Sequence, residues 1–140
     1  MAIDDALTEL KDEFELLGDW EERYRYLIEL GKDLVPLTDA ERTEANKVRG
    51  CASQVWLITQ PQADGTLSFR GDSDAHIVRG LIAIVLRLYS GRPPAEILAF
   101  DAKAAFEQLG LSGALSVQRS NGLASMVGRI RRDAEMAAVA

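Results

Sequence analysis

From Ile77 to Tyr89 the chain reads Ile-Val-Arg-Gly-Leu-Ile-Ala-Ile-Val-Leu-Arg-Leu-Tyr, with Arg79 and Arg87 its only charged residues. Wound into a helix, Ile77, Val78, Leu81, Ile82, Ile84, Val85, Leu86 and Leu88 cover nearly every side. A helix apolar all round belongs in the centre of a core. The run falls short of the roughly 18 apolar residues that a membrane span requires. The rest of the chain must therefore wrap one central helix, expected from Asp74 to about Tyr89. Ser73 or Asp72 is expected to cap it, and Asp74 suits the positive end of its dipole.

The flanking segments supply the wrapping. Ile3, Leu7, Leu10, Phe14 and Leu17 recur at helical spacing, and Gly18-Asp19 breaks the pattern. Asp19 is placed to cap a second helix, on which Trp20, Tyr24, Leu27, Ile28 and Gly31 share a face, with Gly31 and Pro36 marking its end. Residues 36–50 are polar and read as a long irregular connection, the kind of loop that often carries function. Val55 to Thr59 and Leu67 to Arg70 are rich in strand formers and enclose Asp64-Gly65, a turn signal, so a β-hairpin is expected. Two strands alone are marginal, and Asn46 to Val48 is the candidate third. Pro94 opens a short helix, Phe106 and Leu109 suit another stopped by Gly110, and a last helix carries Leu123, Met126, Val127 and Ile130. The order predicts an α+β fold: a small antiparallel sheet of about three strands with helices on one face. At 140 residues, with no internal repeat and only the short Gly91-Arg92-Pro93-Pro94 as a break, residues 1–140 read as one domain.

Charge limits the partners. The net charge is -6, and the first 22 residues hold nine acids against one lysine. A duplex-binding protein carries a basic stripe, so nucleic acid and anionic membrane are poor fits. Arg119, Arg129, Arg131 and Arg132 give only the last helix a basic bias. The acidic start has no basic region of the secretory kind, and a cytoplasmic protein is expected.

The chain has one cysteine and one histidine. Neither a four-ligand zinc site of Cys and His nor a cysteine-held iron–sulfur cluster fits on one chain. Cys51 lies between Gly50 and Ala52, at the junction of the polar connection and the hairpin. Small neighbours leave a thiolate open to approach, and Lys47, Arg49 and Arg119 are cations that would favour it. A lone cysteine is also commonly an inert core residue. From the residues alone, both readings stand. A third, a cysteine hydrolase or transferase, would need His76 as base with an orienting group and an oxyanion site, and nothing suggests either. Asp72, Ser73 and Asp74 are read as capping residues rather than an acid–base pair.

Several motifs occur in a fixed order: Trp20-Glu21-Glu22-Arg23-Tyr24, Ile28-Glu29-Leu30-Gly31, Val48-Arg49-Gly50-Cys51-Ala52-Ser53-Gln54-Val55-Trp56, Gly71-Asp72-Ser73-Asp74-Ala75, and Arg119-Ser120-Asn121-Gly122-Leu123. In these the chain resembles the SufE-like cysteine desulfuration proteins, the sulfur acceptors of iron–sulfur cluster assembly. Ala52 and Asn121 depart from the best-known members, away from the thiol.

The resemblance implies that Cys51 attacks the outer sulfur of a persulfide on a pyridoxal-phosphate cysteine desulfurase of the SufS or CsdA type. The chain would carry that sulfur as a Cys51 persulfide, stimulate the desulfurase and deliver to a cluster scaffold or another recipient. It would need no cofactor of its own and would not be an enzyme by itself. The resemblance also implies that the resting cysteine turns into an apolar cavity, with Gly50 as a hinge. Arg119 would lie near the loop, Gln54 is a candidate to hydrogen-bond it, and the Asp74 segment would help form the cavity or the partner surface.

Overall fold

The computed structural model describes residues 3–50, 53–111 and 117–139. In chain order these form α1 (Ile3–Glu15), α2 (Trp20–Lys32), β1 (Val55–Pro61), β2 (Leu67–Ser73), α3 (His76–Tyr89), α4 (Pro94–Ala99), α5 (Ala102–Gln108) and α6 (Val117–Ala138). The architecture is α+β. No helix among the described residues is long and apolar enough to cross a membrane.

The central helix is α3, as its composition requires. Ile77, Leu81, Ile82, Ile84, Val85, Leu88 and Tyr89 are all buried, and α1, α2, α6 and β2 pack on it. Its approach to α2 is set by two glycines. A Cβ on Gly80 would collide with the Leu27 carbonyl, and one on Gly31 would lie 2.7 Å from the Gly80 nitrogen. Backbone meets backbone there, and no side chain fits between. Gly31 lies in the last turn of α2, which ends at Lys32 as expected, and the crossing selects it as well. Trp20 and Tyr24, expected on the buried face of α2, are exposed while Leu27 and Gly31 are buried. Asp19 caps α2 as expected, its Oδ1 accepting from the Glu22 amide at 2.8 Å.

The hairpin pairs β1 with β2 antiparallel, Val55 opposite Ser73 and Pro61 opposite Leu67. Gly65 takes the left-handed conformation (φ 89°) that the tight turn demands, and Asp64 accepts from the Thr66 amide and hydroxyl. Val55, Leu57, Leu67, Phe69 and Gly71 face the helices. The helices thus cover one sheet face, with α3 against β2 and α6 against β1.

The third strand is only a bridge. Lys47 pairs with Trp56, and two bonds flank it: the Val48 amide to the Val55 carbonyl and the Leu57 amide to the Asn46 carbonyl, both 2.8 Å. The chain then turns at Arg49 and Gly50, which ends the pairing. The start of α3 also moves. Asp74 still donates its amide to the Gln54 carbonyl at 3.3 Å, so the hairpin runs further than expected and the helix begins at His76.

Candidate functional site

Cys51 and Ala52 lie outside the described residues, and the site is defined by what surrounds them. Upstream, residues 36–50 are irregular but firmly tied. Their principal anchor is Asp72, fully buried at the end of β2. Its carboxylate accepts from the Leu37 amide at 3.2 Å, from Arg42 Nη2 at 2.9 Å and from the Ser73 amide at 2.8 Å, with Arg79 Nη1 at 3.5 Å. Burial pushes the Asp72 carboxyl up. The Arg42 bond, the Ser73 and Leu37 amides and the Arg79 charge outweigh that and hold it below the ordinary aspartate range. Asp72 therefore does not cap α3: it is the hub joining the connection to the sheet. Arg42 also sits over the Trp56 ring, 5.6 Å from its centroid.

Closer to Cys51, α6 takes over. Arg129 donates to two carbonyls of the connection, Nη2 to Ala45 at 2.8 Å and Nη1 to Lys47 at 3.1 Å. Gly50 is left-handed (φ 89°), and a Cβ there would lie 2.7 Å from Ser125 Oγ of α6. The positive φ at Gly50 favours glycine, and a larger residue would also push the Ser125 hydroxyl aside. Downstream, Gln54 and Asp74 close the loop reciprocally: the Gln54 amide donates to Asp74 Oδ1 at 3.1 Å, and the Asp74 amide to the Gln54 carbonyl.

Beside these residues lies a cavity of about 280 Å³. Its lining is mixed: Val55, Val78, Leu81, Ile82, Leu123 and Met126 are apolar, and Ser53, Gln118 and Arg119 are polar. The volume is far above the ~30 Å³ share of one water and suits a small side chain. Gly50 and Gln54 flank one short loop, and Asp74 and Arg119 are brought to it from distant parts of the chain, Arg119 by way of the cavity that Ser53 also lines.

His76 is exposed at the first position of α3, and no carboxylate hydrogen-bonds its imidazole among the described residues. Among those residues, no three His, Cys, Asp or Glu side chains converge as a metal site would require. Sequence reasoning missed Ser125 and Arg129 as neighbours of the loop. Their one signal was helical spacing: Gln118, Gly122, Ser125 and Arg129 fall in one stripe along α6.

Comparison with known proteins matches this geometry to a family. Residues 8–134 match the family model described as SufE, the Fe-S metabolism associated domain. The chain is 57% identical over 138 residues to an uncharacterized SufE-like protein of Rhizobium etli, covering 96% of this chain and 93% of that one. It is 52% identical over 133 residues to another of Rhizobium meliloti, covering 93% and 95%. The fold is similar to the solution structure of a hypothetical protein from Thermus thermophilus, with a TM-score of 0.76 and 17% identity, covering 100% of both chains. An α+β domain with these motifs in this order, matched over nearly its whole length, belongs to the SufE family, the proteins of the Fe–S metabolism associated domain.

Proposed function

We propose that Cys51 is a sulfur-accepting nucleophile, and that the protein is a carrier and activator for a pyridoxal-phosphate cysteine desulfurase in the cytoplasm. The observation that carries this reading is the cavity of mixed lining shared by Ser53 and Arg119, beside the loop whose two ends are pinned. A persulfide in open solvent is readily reduced or oxidised. A recess beside the loop shields it in part, and a nearby guanidinium favours the thiolate needed for attack.

The Cys51 thiolate attacks the outer sulfur of the desulfurase persulfide. A new S–S bond forms to Cys51 as the old one breaks, and the desulfurase thiolate leaves with the electron pair. No external oxidant or reductant is required, and the proton follows the more basic sulfur. Clearing the desulfurase cysteine speeds its next turnover. A second exchange, in which a recipient thiolate attacks Cys51 persulfide, passes the sulfur to iron–sulfur cluster assembly. Gly50, at a positive φ, is the hinge about which the loop turns when the desulfurase docks.

Intact mass tests this directly. The protein is incubated with free cysteine and a cognate desulfurase, as wild type and as Cys51→Ser. Wild type should gain the mass of a sulfur atom and lose it on thiol reduction, while Cys51→Ser gains nothing. No gain on wild type with an active desulfurase returns Cys51 to an inert core residue. Turnover of an acyl substrate without any desulfurase would instead favour the hydrolase reading.

A further inference from the structure

We propose that Arg129 is a positioning residue for sulfur transfer, clamping the upstream limb of the Cys51 loop onto α6; this rests on the sulfur-acceptor reading above. The guanidinium fork spans two carbonyls where a turn leads into the bridge, Ala45 and Lys47, at 2.8 and 3.1 Å. The same stretch is held from its other edge by β1, through Val48 to Val55 and Leu57 to Asn46. Residues 45–48 are thus fixed between a strand and a helix. With Gln54 tied to Asp74, the segment bearing Cys51 is bounded by two rigid points.

Both bonds from Arg129 go to backbone, so they act whatever side chains the loop carries. Charge-assisted bonds of this kind are roughly twice as strong as neutral ones. A planar fork also fixes direction as well as distance, which an ammonium does not. The side chain is half-buried and turned to the loop, so it is spent on position rather than on a docking partner. Sulfur exchange needs the attacking thiolate aligned with the S–S bond it breaks. Without the clamp, the thiolate keeps its chemistry but samples a wider range of positions, and orientation is what such transfers are sensitive to.

The test uses the full chain with an active desulfurase and compares wild type, Arg129→Ala and Arg129→Lys. Sulfur uptake by Arg129→Ala should show kcat lower by on the order of tenfold, with KM for the carrier within about twofold. Arg129→Lys, able to make one bond but not the fork, should fall between. Amide exchange at Val48 and Leu57 should rise in Arg129→Ala while the α3 amides stay protected. Unchanged kcat overturns the proposal. So does exchange that rises equally through α3, which would mark a merely structural role. If wild type itself takes up no sulfur, the acceptor reading falls and this proposal with it; if wild type transfers and Arg129→Ala is indistinguishable from it, the positioning role alone falls.

Discussion

The central helix α3 and the connection 36–48 are both essential to the site, and they are held in place by opposite means. α3 has apolar side chains buried on most of its sides and meets α2 through bare backbone. The connection buries only Leu37 and Val48 and is held by charge: Asp72 at one end, Arg129 at the other, and Glu41 bonded to Arg70 between. Burial of apolar area is non-directional and tolerates sliding. Hydrogen-bonded charge is directional and fixes a path for a chain that has no helix or strand of its own. The connection is therefore hung on a few specific bonds, and the central helix is held by packing.

Substitutions can break each side of that contrast separately. The largest effect is expected from Gly80→Ala, because the clash is with the Leu27 carbonyl and backbone yields poorly. A loss of about 3 kcal/mol, measured by urea unfolding, should be global, with α2 and α3 losing protection together. Asp72→Asn comes next. It keeps the shape and removes the charge that Arg42 and Arg79 face, for a loss of about 2 kcal/mol. Here hydrogen exchange should rise first in residues 37–48, and a uniform rise would show that the two regions are not separable.

Acid sharpens the same point. The native Asp72 carboxyl lies below its unfolded value, so its contribution is complete above the ordinary aspartate range and is lost as pH falls through the lowered native value. Glu13 is lowered as well, chiefly by its hydrogen bond to Arg87, and adds its own acid dependence by tying α1 to α3. The difference in stability between wild type and Asp72→Asn should therefore shrink on acidification, and a pH-independent difference would contradict the assignment. The smallest effect falls on the packed side. The Tyr89 hydroxyl is buried with no hydrogen-bond partner among the described residues, and burial pushes its phenol up to about 12. Tyr89→Phe should stabilise by about 1 kcal/mol, read as a higher urea midpoint at unchanged slope.

The same contrast explains what was legible in the sequence. α3 could be read from Ile77 to Tyr89 because burial on all sides leaves a local compositional mark. The hairpin could be read from Asp64-Gly65 and the strand formers around it. The motif about Cys51 pointed to the family, and the family match agrees. Asp72 was misread because the partners that tie down the connection, Arg42 and Leu37, lie 30 and 35 residues away. Arg129 was noticed only as part of a basic bias, since its partners are backbone carbonyls 82 and 84 residues distant, which have no sequence signature. Gly31 was legible as the end of α2, which stops at Lys32, but its close crossing with Gly80, 49 residues on, was not.

The placement of the two tryptophans turns the upstream limb into something that can be watched by light. Trp56 faces Lys47 across the isolated bridge and lies beneath Arg42, whereas Trp20 sits exposed at the head of α2. A cation over an indole and a chain drawn alongside it both alter emission, so detachment of the limb changes the fluorescence of Trp56 and leaves Trp20 as a steady background. With Trp20 replaced by phenylalanine, the protein carries a single intrinsic lamp beside the clamped limb, readable on the timescale of a stopped-flow mixing experiment and with no dye attached to the thiol.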